Sequence, residues 1–287
     1  MIDVYNVHVL YSADLLEMIR MDAMSMDLLR GSPRIVNIYS HCGGSVQVEA
    51  IGGPSITELV EHEKRSRMDD PPPMLSPTEK LNMAVEMAEG LADLHGFEGG
   101  PIVHNDVQIG QYLIDENYHA RMSDFNRADP LLFDNTKGEY CKVILGDASG
   151  ELRSPEEYKT DPTDEKIDVY SFGNVIQTLL TGHYPYDDYN DDSIEAWRLS
   201  VDGITPHVGS NIRGNSFAES ALASVMDKCF EYHAEKRIDI FTVVDLLKEA
   251  AELNDRFESI EVGSHEEDEW DPETYYDEDG WKKWLPW

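Results

Sequence analysis

The chain has 287 residues, enough to bury a full hydrophobic core in one large domain or in two small lobes. Its formal net charge of −34 excludes nucleic acid and anionic membranes as natural partners and favours basic proteins, although a generally acidic or salt-adapted surface explains the same charge. The three cysteines lack metal-ligand and disulfide spacing, and no apolar run is long enough to span a membrane, so we expect a soluble intracellular protein, cytoplasmic or nuclear.

The beginning of the chain predicts a small strand-containing region with one long helix. Residues 2–11 alternate apolar and polar positions, which predicts a strand. Ser12 is suited to cap a helix, and the amphipathic run that follows is rich in methionine and ends near Gly31. Two further strands are predicted over residues 35–39 and 46–51, joined by a glycine-containing turn.

Two helices are predicted next, on either side of a polar, proline-rich loop at residues 64–75. A break at residues 52–54 precedes Ser55, which begins a short helix. Residues 76–79, Ser-Pro-Thr-Glu, combine a capping box with proline at the first helical position. The helix that follows carries an apolar stripe, and we expect it to be buried as a central support.

In the stretch from 102 to 128, the aspartates Asp106 and Asp124 lie eighteen positions apart. Short apolar runs at residues 112–114 and 120–122 flank a polar turn cluster and predict a hairpin. Such a hairpin brings both carboxylates to the same end of a rigid support. Two such groups can divide a phosphoryl transfer, one orienting a hydroxyl nucleophile and the other holding Mg²⁺ on the phosphates.

The motifs in this stretch resemble those of eukaryotic protein kinases, whose catalytic loop reads H-R-D-x-x-x-x-N and whose metal loop reads D-F-G. This chain reads H-N-D-V-Q-I-G-Q and D-F-N, so the matching residues are His104, Asp106, Asp124 and Phe125. It departs from the pattern at Asn105, Gln111 and Asn126. This combination resembles a divergent branch of the kinase superfamily.

Motifs further along follow in the order that the family has them. Residues 153–158, R-S-P-E-E-Y, resemble the family's A-P-E segment, and residues 168–173, D-V-Y-S-F-G, resemble the start of a buried helix. In the family, Asp168 receives backbone N–H groups of the catalytic loop, and a basic residue at the place of Arg237 pairs with the A-P-E glutamate, here Glu156.

The resemblance implies an α+β, protein kinase-like fold with a truncated small β lobe and a mainly helical large lobe. Residues 1–53 are then the incomplete small lobe, 54–258 the large lobe and 259–287 an acidic, tryptophan-rich tail. Two interpretations of the tail stay open. It is either a disordered acidic segment, or its tryptophans dock it onto the protein's own surface or onto a partner.

The resemblance also implies ATP and Mg²⁺ as cofactors and a role for each matching position. Asp106 is expected to orient the substrate hydroxyl, with His104 as a second catalytic residue. The expected metal ligands are Asp124 and Gln111. The positions expected on the cofactor side are Asp22, Gln108 and Arg127.

Two of these positions, Asp22 and Arg127, carry alternatives. Asp22 lies near the family's helix glutamate, but a solvated carboxylate on a helix face is the alternative. Gln108 replaces a lysine that touches the γ-phosphate in the family, which leaves Arg127 as the nearby cation able to compensate. Arg127 is equally well interpreted as an exposed arginine that pairs with the acidic surface.

The interval between Asp124 and Pro155 corresponds to the family's activation segment, where protein substrates dock. Thr136, Tyr140 and Ser149 are hydroxyls there that can accept phosphate. Because Asn105 replaces the arginine that binds such a phosphate in the family, unmodified hydroxyls are the favoured interpretation.

The sequence lacks two parts of the family's ATP site. No lysine precedes Lys64 and no glycine precedes Gly31. The given sequence therefore contains neither the glycine-rich loop nor the ATP-binding lysine. One hypothesis is a protein kinase that is weak as it stands, or complete in a longer natural chain. A second is a pseudokinase that binds basic protein partners. A third, a small-molecule phosphotransferase, is disfavoured by the R-S-P-E-E-Y and D-V-Y-S-F-G motifs.

Overall fold

The computed structural model describes residues 12–66, 75–145, 150–187 and 193–263. The predicted strand at residues 2–11, Ser149 and the tryptophans of the tail lie outside these ranges. A small region with strands precedes a mainly helical part, which confirms the expected α+β class. Among the described helices, none combines the length and apolarity needed to cross a bilayer.

The small region consists of one helix and a two-stranded ribbon. Helix α1 (Ala13–Leu28) begins as predicted, with the Ser12 side chain accepting a hydrogen bond from the Leu15 N–H at 3.1 Å. The ribbon pairs β1 (Ile38–Cys42) with β2 (Ser45–Val48) in antiparallel fashion.

The first strand of this ribbon begins three residues later than predicted. Ile35 and Val36 are apolar and β-prone, but they are almost fully buried against a different partner, the later hairpin. The Val36 N–H donates to the Met122 carbonyl at 3.0 Å, and the Met122 N–H donates to the Arg34 carbonyl at 2.8 Å. These bonds join the small region directly to the segment that carries the second aspartate.

The remaining part is built on long helices whose ends follow the predicted caps. Both capping residues of the Ser76 box are present at the start of its helix. The long helices are α2 (Ile56–Ser66), α3 (Pro77–His95), α5 (Lys166–Thr181), α6 (Ser193–Val201), α8 (Phe217–Cys229) and α9 (Ile240–Gly263). Nearly every residue of α5 is buried, as its apolar sequence predicts.

Short elements fill the space between the long helices. The strands form antiparallel pairs, β3 (Ile102–Val103) with β6 (Asp129–Pro130), β4 (Tyr112–Ile114) with β5 (Ala120–Met122), and β7 (Phe133–Asp134) with β8 (Glu139–Tyr140). A 3-10 turn, Ile109–Gln111, precedes β4, and the short helices are α4 (Pro155–Tyr158) and α7 (Ser210–Arg213). The β4–β5 hairpin is the predicted one.

The connection between the two regions lies against the hairpin turn. A Cβ atom added to Gly53 would stand 2.2 Å from the Asp115 carbonyl oxygen and 2.3 Å from that of Ile114, so only glycine permits this approach. The break predicted at residues 52–54 is therefore a close backbone contact that fixes the small region over the hairpin.

A buried ion pair between Arg237 and Glu156 joins two distant segments of the helical part, as the resemblance implied. The Arg237 Nη1 lies 2.6 Å from Glu156 Oε1, and Nη2 lies 3.2 Å from Oε2. Arg237 also donates to the Lys166 carbonyl at 2.7 Å and has its guanidinium over the Tyr170 ring. The arginine side chain is fully buried, so its loss leaves the Glu156 carboxylate without compensation.

We predict that Arg237→Met lowers the free energy of unfolding by about 3–5 kcal/mol, because an unpaired buried carboxylate is costly. Urea unfolding followed by circular dichroism measures the change. The matched control is Arg198→Met, whose exposed pair with Glu195 is expected to contribute far less to the free energy of unfolding. Equal effects of the two substitutions would contradict the assignment of Arg237 as a structural anchor.

Candidate active site

The catalytic loop is attached to the start of α5 through Asp168. This carboxylate is 1% exposed and accepts hydrogen bonds from the His104 N–H at 2.7 Å and the Asn105 N–H at 2.9 Å. The His95 ring nitrogen Nε2 lies 3.0 Å from the same carboxylate. The role implied for Asp168 is therefore present in the structure, and the backbone before Asp106 is fixed.

Two residues of the site have left-handed backbone conformations. Asn105 has a φ of 60° and Asp124 a φ of 61°. Asparagine and aspartate tolerate this region better than other residues with a Cβ atom. Asn105, which replaces the family's arginine, thus suits the left-handed turn that the catalytic loop makes at this position.

The β4–β5 hairpin brings the two loops together. Tyr112 pairs with Met122 in the antiparallel register, so Gln111 before β4 lies opposite Ser123 after β5. The Gln111 carbonyl accepts from the Ser123 N–H at 2.8 Å. Asp124, the next residue, therefore begins the metal loop at the same end of the hairpin that the catalytic loop enters.

The Asp106 carboxylate receives donors on both oxygens. Oδ2 accepts from the Gln111 side-chain nitrogen at 3.0 Å and, at the long distance of 3.5 Å, from that of Gln108. Oδ1 accepts from Arg153 Nη2 at 3.0 Å. The Asp106 side chain is 22% exposed and lines an open pocket of about 280 Å³, so a hydroxyl group from solvent can reach it.

His104 occupies a supporting place rather than a catalytic one. Its side chain has no exposed surface, its Nε2 lies 3.3 Å from the Ser123 carbonyl oxygen, and its ring contacts that of Phe125 with centroids 5.2 Å apart. A group enclosed in this way has no route to a substrate. The expectation that His104 takes part in the chemistry is therefore revised, and we assign it to holding the metal loop.

Asp124 and Arg127 lie on the open side of the metal loop. Asp124 is exposed and Arg127 is half-buried. Neither side chain has a hydrogen bond or ion pair with another residue of the described ranges. The Gln111 amide nitrogen is taken by Asp106, which leaves the amide oxygen as an acceptor. A free carboxylate and a free amide oxygen are the hard ligands that Mg²⁺ prefers, so the donor set fits this ion.

Asp22 is bound to the metal loop, and the alternative of a solvated helix-face carboxylate is wrong. Its Oδ1 accepts from the Phe125 N–H at 2.8 Å. Burial is the main cause that raises the pKa of Asp22, and the nearby charge of Asp124 acts in the same direction, whereas the bond from Phe125 opposes both. Helix α1 thus holds the metal loop through one carboxylate.

The sequence did not identify Arg153 and Glu157 as residues of the site. The Arg153 guanidinium is 47 positions away from Asp106 in sequence, a separation across which no local pattern predicts contact. Arg153 Nη1 lies 3.4 Å from Glu157 Oε1. Burial raises the pKa of Glu157 to about 7, against the opposing effect of Arg153 and of hydrogen bonds from Ser154.

Comparison with known proteins agrees with these motifs. The family model for the protein kinase domain matches residues 12–247. PTI1-like tyrosine-protein kinase 2 of Arabidopsis thaliana is 31% identical over 202 residues, which cover 68% of this chain and 54% of that protein. PTI1-like tyrosine-protein kinase 1 is 31% identical over 202 residues, and Wall-associated receptor kinase-like 18 is 30% identical over 167, both from the same plant. The match to PTI1-like tyrosine-protein kinase 1 covers 68% of this chain and 55% of that protein. The match to Wall-associated receptor kinase-like 18 covers 55% of this chain and 21% of that protein. The chain thus spans about half the length of the PTI1-like relatives.

We predict that stability falls between about pH 4.5 and 7 because of Glu157. Its pKa is raised from 4.5 in the unfolded chain to about 7 in the fold, so the folded protein binds the proton more tightly. The stabilisation is complete below the unfolded pKa and is lost as pH rises through the folded pKa. Urea unfolding from pH 4.5 to 7.5 measures the effect. The free energy of unfolding of the parent protein should fall by on the order of 3 kcal/mol over this window, and Glu157→Gln should not show this fall. Parallel pH profiles of the two proteins would contradict the assignment.

We predict that Asp22→Ala speeds hydrogen exchange of the Phe125 amide by roughly ten- to a hundredfold, because a bond to a charged acceptor contributes about 1.5–3 kcal/mol. Hydrogen exchange followed by NMR measures the rate. Asp22→Asn keeps an acceptor oxygen and is the matched control, expected to change the rate much less. Unchanged protection of Phe125 in Asp22→Ala would show that helix α1 does not hold the metal loop.

Proposed function

The chain belongs to the protein kinase family, and we propose that it transfers the γ-phosphoryl group of ATP to a hydroxyl group of a protein substrate. The observation that carries this proposal is the meeting of the two loops at one end of the β4–β5 hairpin. There Asp106 is bonded to Gln111, and Asp124 follows Ser123, which is itself bonded to Gln111. This is the arrangement of groups that phosphoryl transfer requires.

Each group of the site has a part in this reaction. Asp106 accepts a hydrogen bond from the substrate hydroxyl and orients its oxygen for attack. Asp124 and Gln111 would hold Mg²⁺, which neutralises charge on the phosphates when it is bound. In the described residues there is no cluster of three or more acidic, histidine or cysteine ligands, in keeping with an ion held by few protein groups together with phosphate oxygens.

We propose that the transfer is slow in this chain. Phosphoryl transfer depends on positioning and charge neutralisation. The glycine-rich loop and the ATP-binding lysine, which serve both purposes in the family, are absent from the given sequence. Gln108 also supplies no charge where the family has a lysine. Half-buried Arg127, beside the metal loop, is the cation available to compensate on the cofactor side.

A second candidate function is a pseudokinase that binds a protein partner. The substitution at Gln108 favours it, since glutamine removes the cation that touches the γ-phosphate in the family. The net charge of −34 makes a basic protein the expected partner. Turnover distinguishes the two functions, because a pseudokinase binds its partner without transferring phosphate.

We predict weak, Mg²⁺-dependent ATP binding and slow phosphorylation of a basic substrate protein. In a thermal-shift titration with Mg·ATP, Asp124→Asn should lose most of the stabilisation, because the variant lacks the metal-binding charge. Asp106→Asn should keep binding and lose radiolabel transfer by at least about a hundredfold. Transfer that survives in Asp106→Asn would contradict the assigned mechanism, and an absence of any shift at millimolar Mg·ATP would contradict nucleotide binding.

A further inference from the structure

The Arg153 guanidinium connects two acceptors of the catalytic loop with a third in helix α4. Nη1 donates to the Asn105 carbonyl at 2.6 Å, Nη2 donates to Asp106 Oδ1 at 3.0 Å, and Nη1 also lies 3.4 Å from Glu157 Oε1. The residue is 8% exposed. A planar guanidinium is suited to such a geometry, whereas an ammonium group is a point charge that cannot span the same acceptors.

The backbone from which this side chain extends is itself fixed. The Ser200 hydroxyl donates to the Arg153 carbonyl at 3.3 Å. The preceding carbonyl, of Leu152, accepts from the Ser171 hydroxyl at 3.0 Å and from the Asn174 amide at 3.1 Å. Arg153 is therefore held by α5 and α6, and its guanidinium transmits that rigidity to Asp106.

The catalytic loop itself supplies no positive charge beside Asp106. The two catalytic-loop positions where the resemblance leads us to expect cations are the neutral residues Asn105 and Gln108. Among the described residues, Arg153 is the cation within hydrogen-bonding distance of the Asp106 carboxylate. A carboxylate has about four acceptor sites, so the bond to Arg153 leaves Oδ1 able to accept a substrate hydroxyl.

We propose that Arg153 is a positioning residue for the reaction: it holds the Asp106 carboxylate toward the pocket and supplies the cation that the catalytic loop lacks. This inference rests on the proposed function, in which Asp106 orients the substrate hydroxyl. Arg153 and Asp106 line the same pocket of about 280 Å³, which places the ion pair beside the entering hydroxyl. Misplacement of such a group by about 1 Å can lower a rate by about a hundredfold.

The test is the rate of transfer to a basic substrate protein by the full chain carrying Arg153→Met, Arg153→Lys or the double change Arg153→Met with Glu157→Gln. We expect kcat to fall about ten- to a hundredfold in Arg153→Met, with KM for ATP changed less than about threefold, and to fall less in Arg153→Lys. The double variant no longer has an unpaired buried carboxylate at position 157, so it should be more stable than Arg153→Met alone and stay slow. Recovery of the parent rate in the double variant would overturn the inference, because Arg153 would then serve only to neutralise Glu157.

The matched control is Arg213→Met, which removes an arginine paired with Asp227 on another surface and is expected to leave kcat unchanged. A readout that needs no turnover is the NMR signal of the Gln111 side-chain amide, which reports the place of Asp106. It should shift in Arg153→Met and in the double variant but not in Arg213→Met. An inactive parent protein would contradict the proposed function alone, and an unmoved Gln111 signal would overturn the role of Arg153.

Discussion

The buried carboxylate of Asp168 is the interaction on which the site depends. A charge with almost no exposed surface is costly unless donors surround it, and here the donors are two backbone N–H groups of the catalytic loop and the His95 ring. If the catalytic loop moved away from α5, the buried Asp168 carboxylate would lose its two backbone donors. The left-handed turn at Asn105, and with it the direction of Asp106, is thereby fixed by the helical core rather than by the loop's own sequence.

The rest of the site is assembled by bonds between segments that are distant in sequence. Helix α1 reaches the metal loop through Asp22, the hairpin joins the metal loop to Gln111, and the segment before α4 reaches Asp106 through Arg153. Each bond joins a rigid element to one of two loops. A site with few cations of its own is thus ordered by the helices and the hairpin around it, which suits a reaction that depends on positioning.

The elements that sequence predicted well are those with local signals. The caps at Ser12 and Ser76 and the β4–β5 hairpin depend on residues within a few positions of one another, and all are present. The first ribbon strand was placed too early because the apolar run at Ile35 pairs with the hairpin, a partner that local alternation cannot reveal.

The site residues likewise fall into two groups, those placed by a short local motif and those placed by long-range packing. Asp106 and Gln111 come together because short motifs fix both within one loop. The buried state of His104 and the Arg153 contact follow from long-range packing, so the resemblance assigned His104 to chemistry and passed over Arg153. The attachment of Asp22 to Phe125 depends on how α1 lies over the metal loop, which the sequence of α1 does not state.

The central claim is that the catalytic and metal loops form one nucleotide site at the end of the hairpin. Paramagnetic broadening by Mn²⁺, added in place of Mg²⁺ with a non-hydrolysable ATP analogue, tests it most directly. The account predicts selective loss of NMR signals from the Phe125 and Asn126 amides and the Gln111 side chain, with α8 and α9 unaffected. Broadening centred elsewhere, or none with saturating nucleotide, would contradict it.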